Sequence, residues 1–199
     1  MSRRIGIPLA AALFFSCSAA AQSFQLGKDL GTDFLTELIH QTTQRDVVTV
    51  IHAEAGTAMV IDRNAPEQVV FLRGERISLG AQIARQLSRA AARREPLHLE
   101  VRRSTVDSNI CPEMRSKVKA FLKELDAALS DLGGRSTDTR EIVTDSTAFL
   151  IQLTVKDAQL TLVPDAPTEP PLQQAAYYLH STVSGCSNFV EADVERHDF

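Results

Sequence analysis

Arg85, Arg89 and Arg93 recur at four-residue intervals, and Arg94, Arg102 and Arg103 follow close behind. A spacing of four places side chains one above the other on a helix. A guanidinium fork matches the geometry of phosphate and carboxylate oxygens. From Arg73 to Arg103 there are eight arginines against three glutamates, a local balance of 8 − 3 = +5. Such a stripe suits an anionic envelope component (lipid A, an acidic glycan or a wall polymer) or an acidic partner protein. The competing reading is bland: Arg85 lies two positions, roughly 200°, from the apolar Ile83, where a solvated helix face puts its charges.

Cys111 and Cys186 form the second candidate pair. In an oxidising compartment two isolated cysteines are most simply a disulfide. Their separation of 75 residues closes a long loop, worth on the order of 4 kcal/mol on the chain-entropy view. The alternative is a reactive thiol at Cys111, just ahead of a predicted helix whose N-terminus would lower its pKa.

The five histidines are scattered at His40, His52, His98, His180 and His197. None shows the spacing that puts two imidazoles on one helical face for zinc, so no metal is expected. Glu191, Asp193, Glu195 and His197 alternate along the tail and share one face of a predicted strand, which is weak ground for a cation site. Ser116-Lys117-Val118-Lys119 matches S-x-x-K, but its companion K-T-G is missing and Ser116 falls more than a turn into a predicted helix. There is no G-x-S-x-G elbow, phosphate-cradling glycine loop or dinucleotide fingerprint, and no cofactor is expected. Tyr177 and Tyr178 read as core and rim packing on the last helix.

The elements that position these residues begin after a targeting signal. Ser2-Arg3-Arg4 is a short basic region, Ile5 to Phe15 is apolar and uncharged, and Ala19-Ala20-Ala21 offers small residues for cleavage before Gln22. The apolar run is about half the roughly 20 residues that span a bilayer. Residues 1–21 are therefore read as a signal peptide and 22–199 as one domain, periplasmic or secreted, without a transmembrane segment. The alternative is a lipoprotein anchored through Cys17, which follows a loose lipobox at Phe14-Phe15-Ser16. Loss of Arg3 and Arg4 moves the formal charge from −4 to −4 − 2 = −6, which argues against a globally basic nucleic-acid binder.

Gln22 to Lys28 reads as a loose leader, and Asp29 to Gln44 as a helix with Leu30, Phe34, Leu38 and Ile39 on one face. Val47–His52, Thr57–Asp62 and Gln68–Leu72 read as a meander of short strands. Glu75 to Arg94 is predicted helical, Leu97 to Arg102 a strand, and Pro112 to Leu132 a helix opened by proline and capped by Gly133-Gly134. Thr147–Val155 and Gln159–Val163 predict a hairpin turned at Lys156-Asp157-Ala158. A last helix, Pro170 to Ser184, ends at Gly185, and the tail from Asn188 to His197 alternates as an edge strand with Val190, Ala192 and Val194 inward.

That order predicts an α+β fold, a single domain with a mainly antiparallel sheet packed with about four helices. The function expected of it is that of a non-catalytic exported accessory or binding protein, with an envelope protein or anionic envelope component as partner. The rival expectation is a small secreted hydrolase or thiol-active enzyme assembled in space, with Cys111, His180 and His52 as its residues.

Overall fold

The computed structural model describes residues 11–42, 46–132, 149–155, 158–162 and 170–199. In chain order the elements are α1 (Ala11–Thr42), β1 (Val47–His52), β2 (Thr57–Asp62), β3 (Gln68–Gly74), α2 (Leu79–Arg93), β4 (His98–Asp107), α3 (Met114–Leu132), β5 (Phe149–Val155), β6 (Ala158–Leu162), α4 (Pro170–Cys186), a 3-10 turn (Ser187–Phe189) and β7 (Asp193–Asp198). The strands form one sheet in the order β6-β5-β1-β2-β3-β4-β7, every neighbouring pair antiparallel. The fold is α+β, as the element order predicts.

Both faces of the sheet are covered. On one, Val48, Val50, Met59, Ile61, Val69, Phe71, Phe149 and Ile151 pack against Met114, Val118, Phe121 and Leu125 of α3 and Ala176, Leu179 and Val183 of α4. On the other, Ile51, Ala58, Leu72, Leu99 and Val101 pack against Phe34, Leu35, Leu38 and Ile39 of α1 and Leu79 and Ile83 of α2. A sheet sandwiched this way needs apolar side chains on both sides. That is why β1 reads as an unbroken run, Val47 to Ile51, all buried. Strand β4, by contrast, alternates visibly in the sequence, because His98, Glu100 and Arg102 leave its α3/α4 side less covered.

The Cys111–Cys186 disulfide is formed and joins the start of α3 to the last residue of α4. These two helices are the main contact partners of one another, so the covalent link sits at the mouth of an already packed pair.

Several boundaries depart from the sequence expectation. The stretch Gln22 to Lys28 is not a loose leader but part of α1, which runs back to Ala11. At Gly27 a Cβ would lie 2.5 Å from the Gly80 carbonyl oxygen on α2, so the two helices cross at glycine contact and this end of the predicted leader is packed. The described burial of α1 begins at Gly27. Among the described residues no helix is long and apolar enough to cross a membrane. Helix α2 begins at Leu79 rather than Glu75, because the Ser78 side chain accepts a hydrogen bond from the Ala81 N–H and caps it. Gly185 does not stop α4, which carries on to Cys186. The Gly133-Gly134 cap, the start of the predicted hairpin at Thr147 and Ala148, and Lys156 and Asp157 of its turn lie outside the described residues.

The tail corrects in orientation. Strand β7 is an outer strand paired with β4, Val101 opposite Glu195 and Leu99 opposite His197. Since Val101 and Leu99 face α1 and α2, Glu195 and His197 are the covered residues. Val194 is 49 % exposed on the opposite side. The reason is a pair of specific contacts. Arg103 Nε donates to Glu195 at 2.6 Å, and the His197 ring meets the Phe34 ring edge-on at 5.7 Å.

Candidate functional site

Strand β3 ends at Gly74 while β4 continues: the Glu75 N–H still bonds the Glu100 carbonyl at 3.1 Å, but the Glu100 N–H and both backbone groups of His98 are left without a strand partner. Helix α2 fills the place. Gln82 Nε2 donates to the Glu100 carbonyl at 2.9 Å and Gln82 Oε1 accepts from the Glu100 N–H at 2.9 Å. One helical turn on, Gln86 makes the same pair with His98, at 2.8 and 2.9 Å. Two primary amides thus satisfy the Glu100 N–H and both backbone groups of His98, which would otherwise be unpaired, and add a second donor to the Glu100 carbonyl. Gly74 permits the sharp exit, since a Cβ there would fall 2.0 Å from the Ile77 carbonyl oxygen and 2.8 Å from Gln82 Nε2.

Beside this clamp lies a pocket of about 510 Å³, lined by Arg76, Ile77, Gln82, Arg85 and Gln86 from the α2 side, His98, Leu99 and Glu100 from β4, and Arg196, His197 and Asp198 from β7. Two of its polar contacts are internal: Arg196 to Glu100 at 3.5 Å and His98 to Asp198 at 2.7 Å. Arg76 and Arg85 have no carboxylate within 4 Å among the described residues. The pocket therefore presents two uncommitted guanidinium groups over a wall fixed by the glutamine clamps.

Of the three arginines singled out by spacing, Arg85 lines this pocket and Arg89 and Arg93 do not. Both of those are exposed, and Arg93 lies 3.7 Å from Glu95. Arg76, Arg196 and the two glutamines were not singled out from the sequence. The only available signal for the glutamines was their own four-residue spacing on the side of α2 next to its apolar stripe.

A second polar group sits under α4. Across the sheet, Phe149, His52, Thr57, Arg73, Arg102 and Val194 are successive register partners on the α3/α4 side. His180 comes down from α4 onto this row. Its Nε2 lies 2.7 Å from the Thr57 hydroxyl, and its ring is 4.8 Å from that of His52, with Phe71 and Phe149 alongside. The structure thus brings together His52 and His180, two of the three residues named for an enzymatic alternative. Cys111, the third, is disulfide-bonded and 1 % exposed.

Burial, reinforced by the neighbouring His52, pushes His180 down to about 4. Burial also lowers His52. The pair is neutral near pH 7. The Ala55 N–H donates to His52 Nδ1 at 3.1 Å, which leaves the His52 proton on Nε2. A neutral imidazole bonded to a hydroxyl has the chemistry of a general base and a nucleophile. Here, however, Thr57 is only 9 % exposed, and no carboxylate orients His180 among the described hydrogen bonds.

The remaining candidates fall away individually. Ser116 spends its hydroxyl on the Glu113 carbonyl at 2.8 Å. Tyr177 and Tyr178 are not core or rim packing but 54 % and 48 % exposed, since the buried stripe of α4 runs through Leu172, Ala176, Leu179 and Val183. Lys117 Nζ stands 5.4 Å from the centre of the Tyr178 ring. Among the described residues no group of three or more His, Cys, Asp or Glu side chains is placed to hold a metal ion. Cys17 falls in the first turns of α1. Compared with protein-family models, curated proteins and solved structures, the chain matches none.

Proposed function

We propose that this protein is an exported, non-catalytic binding protein that takes an anionic group, from an envelope component or an acidic partner, into the pocket between α2 and the β4–β7 ladder. One observation carries this reading: Arg76 and Arg85 stand over that pocket without carboxylate partners, while the wall beneath them is held by the Gln82 and Gln86 clamps. Both arginines are exposed to solvent, so an oxyanion entering the pocket meets two guanidinium groups without first breaking an internal ion pair.

Export rests on the N-terminal pattern, with residues 1–21 as a signal. The described burial of α1 starts at Gly27, so cleavage before Gln22 leaves that packing intact. Mass spectrometry of the protein recovered from its host's envelope is expected to give a chain beginning at Gln22 and about 2 Da lighter than its reduced form. An acylated chain beginning at Cys17 would replace the soluble periplasmic form by a tethered one.

The binding reading is tested by equilibrium titration with citrate and inorganic pyrophosphate. Arg76→Glu with Arg85→Glu is expected to weaken binding at least about tenfold, the scale of one charge-assisted contact. Arg89→Glu with Arg93→Glu is expected to leave it within about twofold. Equal losses in the two double variants would replace the pocket by a diffuse charged face, and no binding by the parent protein would end the proposal.

A second reading, a small hydrolase, is favoured by the 2.7 Å contact between Thr57 and the neutral His180. It requires turnover of an activated ester that is lost in both Thr57→Val and His180→Gln. An intact Cys111–Cys186 bond offers this reading no free thiol.

A further inference from the structure

We infer that Arg73, Arg102 and Glu75 form a second binding site, on the α3/α4 side of the sheet, for a small oxyanion that also carries a hydrogen-bond donor. Arg73 of β3 and Arg102 of β4 are direct register partners. Like charges at directly opposite positions repel and are normally separated by an intervening carboxylate. None serves here. The glutamates of the β4–β7 ladder are committed elsewhere, Glu100 to Arg196 at 3.5 Å and Glu195 to Arg103 at 2.6 Å on the other face.

The guanidinium Nε atoms of both arginines are withdrawn from solvent and have no hydrogen-bond partner, and the same holds for Glu75 Oε2. Shielded polar atoms in folded proteins are paired with few exceptions, and three exceptions on two neighbouring strands call for an explanation. The Glu75 N–H bonds to the Glu100 carbonyl at 3.1 Å. Glu75 therefore stands opposite Glu100, one position beyond the last β3–β4 pair and two residues along from Arg73. The unpaired set is two cationic donors and one anionic acceptor on adjacent strand positions.

That inventory selects the ligand's chemistry. A bare oxyanion would satisfy the two arginines and be repelled by Glu75. A bare cation would satisfy Glu75 and be repelled by the arginines. A hydroxy acid, an amino acid or a sugar phosphate answers all three, with its oxyanion between the guanidinium groups and its hydroxyl or ammonium donating to Glu75. This site is independent of the α2 pocket, whose uncommitted arginines are Arg76 and Arg85.

The experiment is nuclear magnetic resonance of arginine side-chain Nε–H groups in the full protein, titrated separately with acetate and L-lactate. Saturable shifts are expected at Arg73 and Arg102 with both ligands. Lactate should bind about fivefold more tightly than acetate, the scale of one added hydrogen bond. In Glu75→Gln that preference should fall as acetate binding improves. Shifts confined to Arg76 and Arg85 would overturn the second site while supporting the pocket. Shifts at Arg73 and Arg102 without a preference for lactate would overturn the role given to Glu75. The parent protein carries the measurement whether or not Arg73→Gln and Arg102→Gln fold.

Discussion

The Thr57 hydroxyl and His180 Nε2 lie 2.7 Å apart, which fastens the first residue of β2 to the middle of α4. Burial of His180 beside His52 also sets a proton inventory. His180 is depressed to about 4 in the folded protein from an ordinary 6.5, so between those values the unfolded chain binds a proton that the folded chain refuses.

Stability is therefore expected to be fully present above about pH 6.5 and to decline as the pH falls to about 4, by on the order of 2–3 kcal/mol from His180. His52, also lowered by burial, adds in the same direction. Urea unfolding at several pH values checks this, and His180→Gln should flatten the slope. An unchanged slope in that variant would assign the acid sensitivity to other groups.

Removing the glutamine clamp should open the sheet locally. Gln82→Ala strips the Glu100 N–H of its partner, and Gln86→Ala strips both backbone groups of His98. Each is expected to cost roughly 1–3 kcal/mol, with amide exchange accelerating at His98 and Glu100 before it does at Val48 or Val50. Uniform acceleration over the whole sheet would mean that the clamps report global rather than local stability.

Replacing Cys111 and Cys186 by serine frees a loop of 75 residues. The expected loss is on the order of 4 kcal/mol, read as a lower denaturation midpoint at an unchanged native fold. A loss below about 1 kcal/mol would show that α3 and α4 constrain the unfolded chain without the bond.

Arg94 closes α2 in the left-handed region, at φ 55. A side chain there carries a cost that glycine avoids. Arg94→Gly is expected to stabilise by up to about 1 kcal/mol. Destabilisation would mean that the arginine makes contacts that outweigh its backbone cost.

Much of the architecture was legible because local pattern and tertiary role agree. The meander β1–β3, helix α3 and the pairing of Cys111 with Cys186 follow from apolar runs, turn residues and redox arithmetic. What was not legible depends on which strand lies beside which. Val194 and His197 exchange inside for outside because β7 docks on β4 in a register that places His197 over Phe34, a fact absent from the tail's own alternation. The meeting of His52 with His180, and of Arg73 with Arg102, likewise comes from register. Periodicity found the arginine spacing on α2 but could not tell that Arg85 lines a pocket while Arg89 and Arg93 stand clear of it.

The two glutamines also behave like the coinciding marks of two rulers with different divisions. Four residues of helix advance about 6 Å, and two residues of antiparallel strand advance about 6.8 Å. Gln82 against Glu100 and Gln86 against His98 therefore agree to within about 1 Å, but a third mark would miss by roughly twice as much. The chain stops there: the next pair would be Ala90 and Pro96, an alanine with no amide to offer and a proline with no N–H to receive one. Sliding α2 along β4 cannot improve the match, because the next coincidence lies a full turn away. The position of Arg85 over its pocket is thus graduated in whole turns rather than freely adjustable.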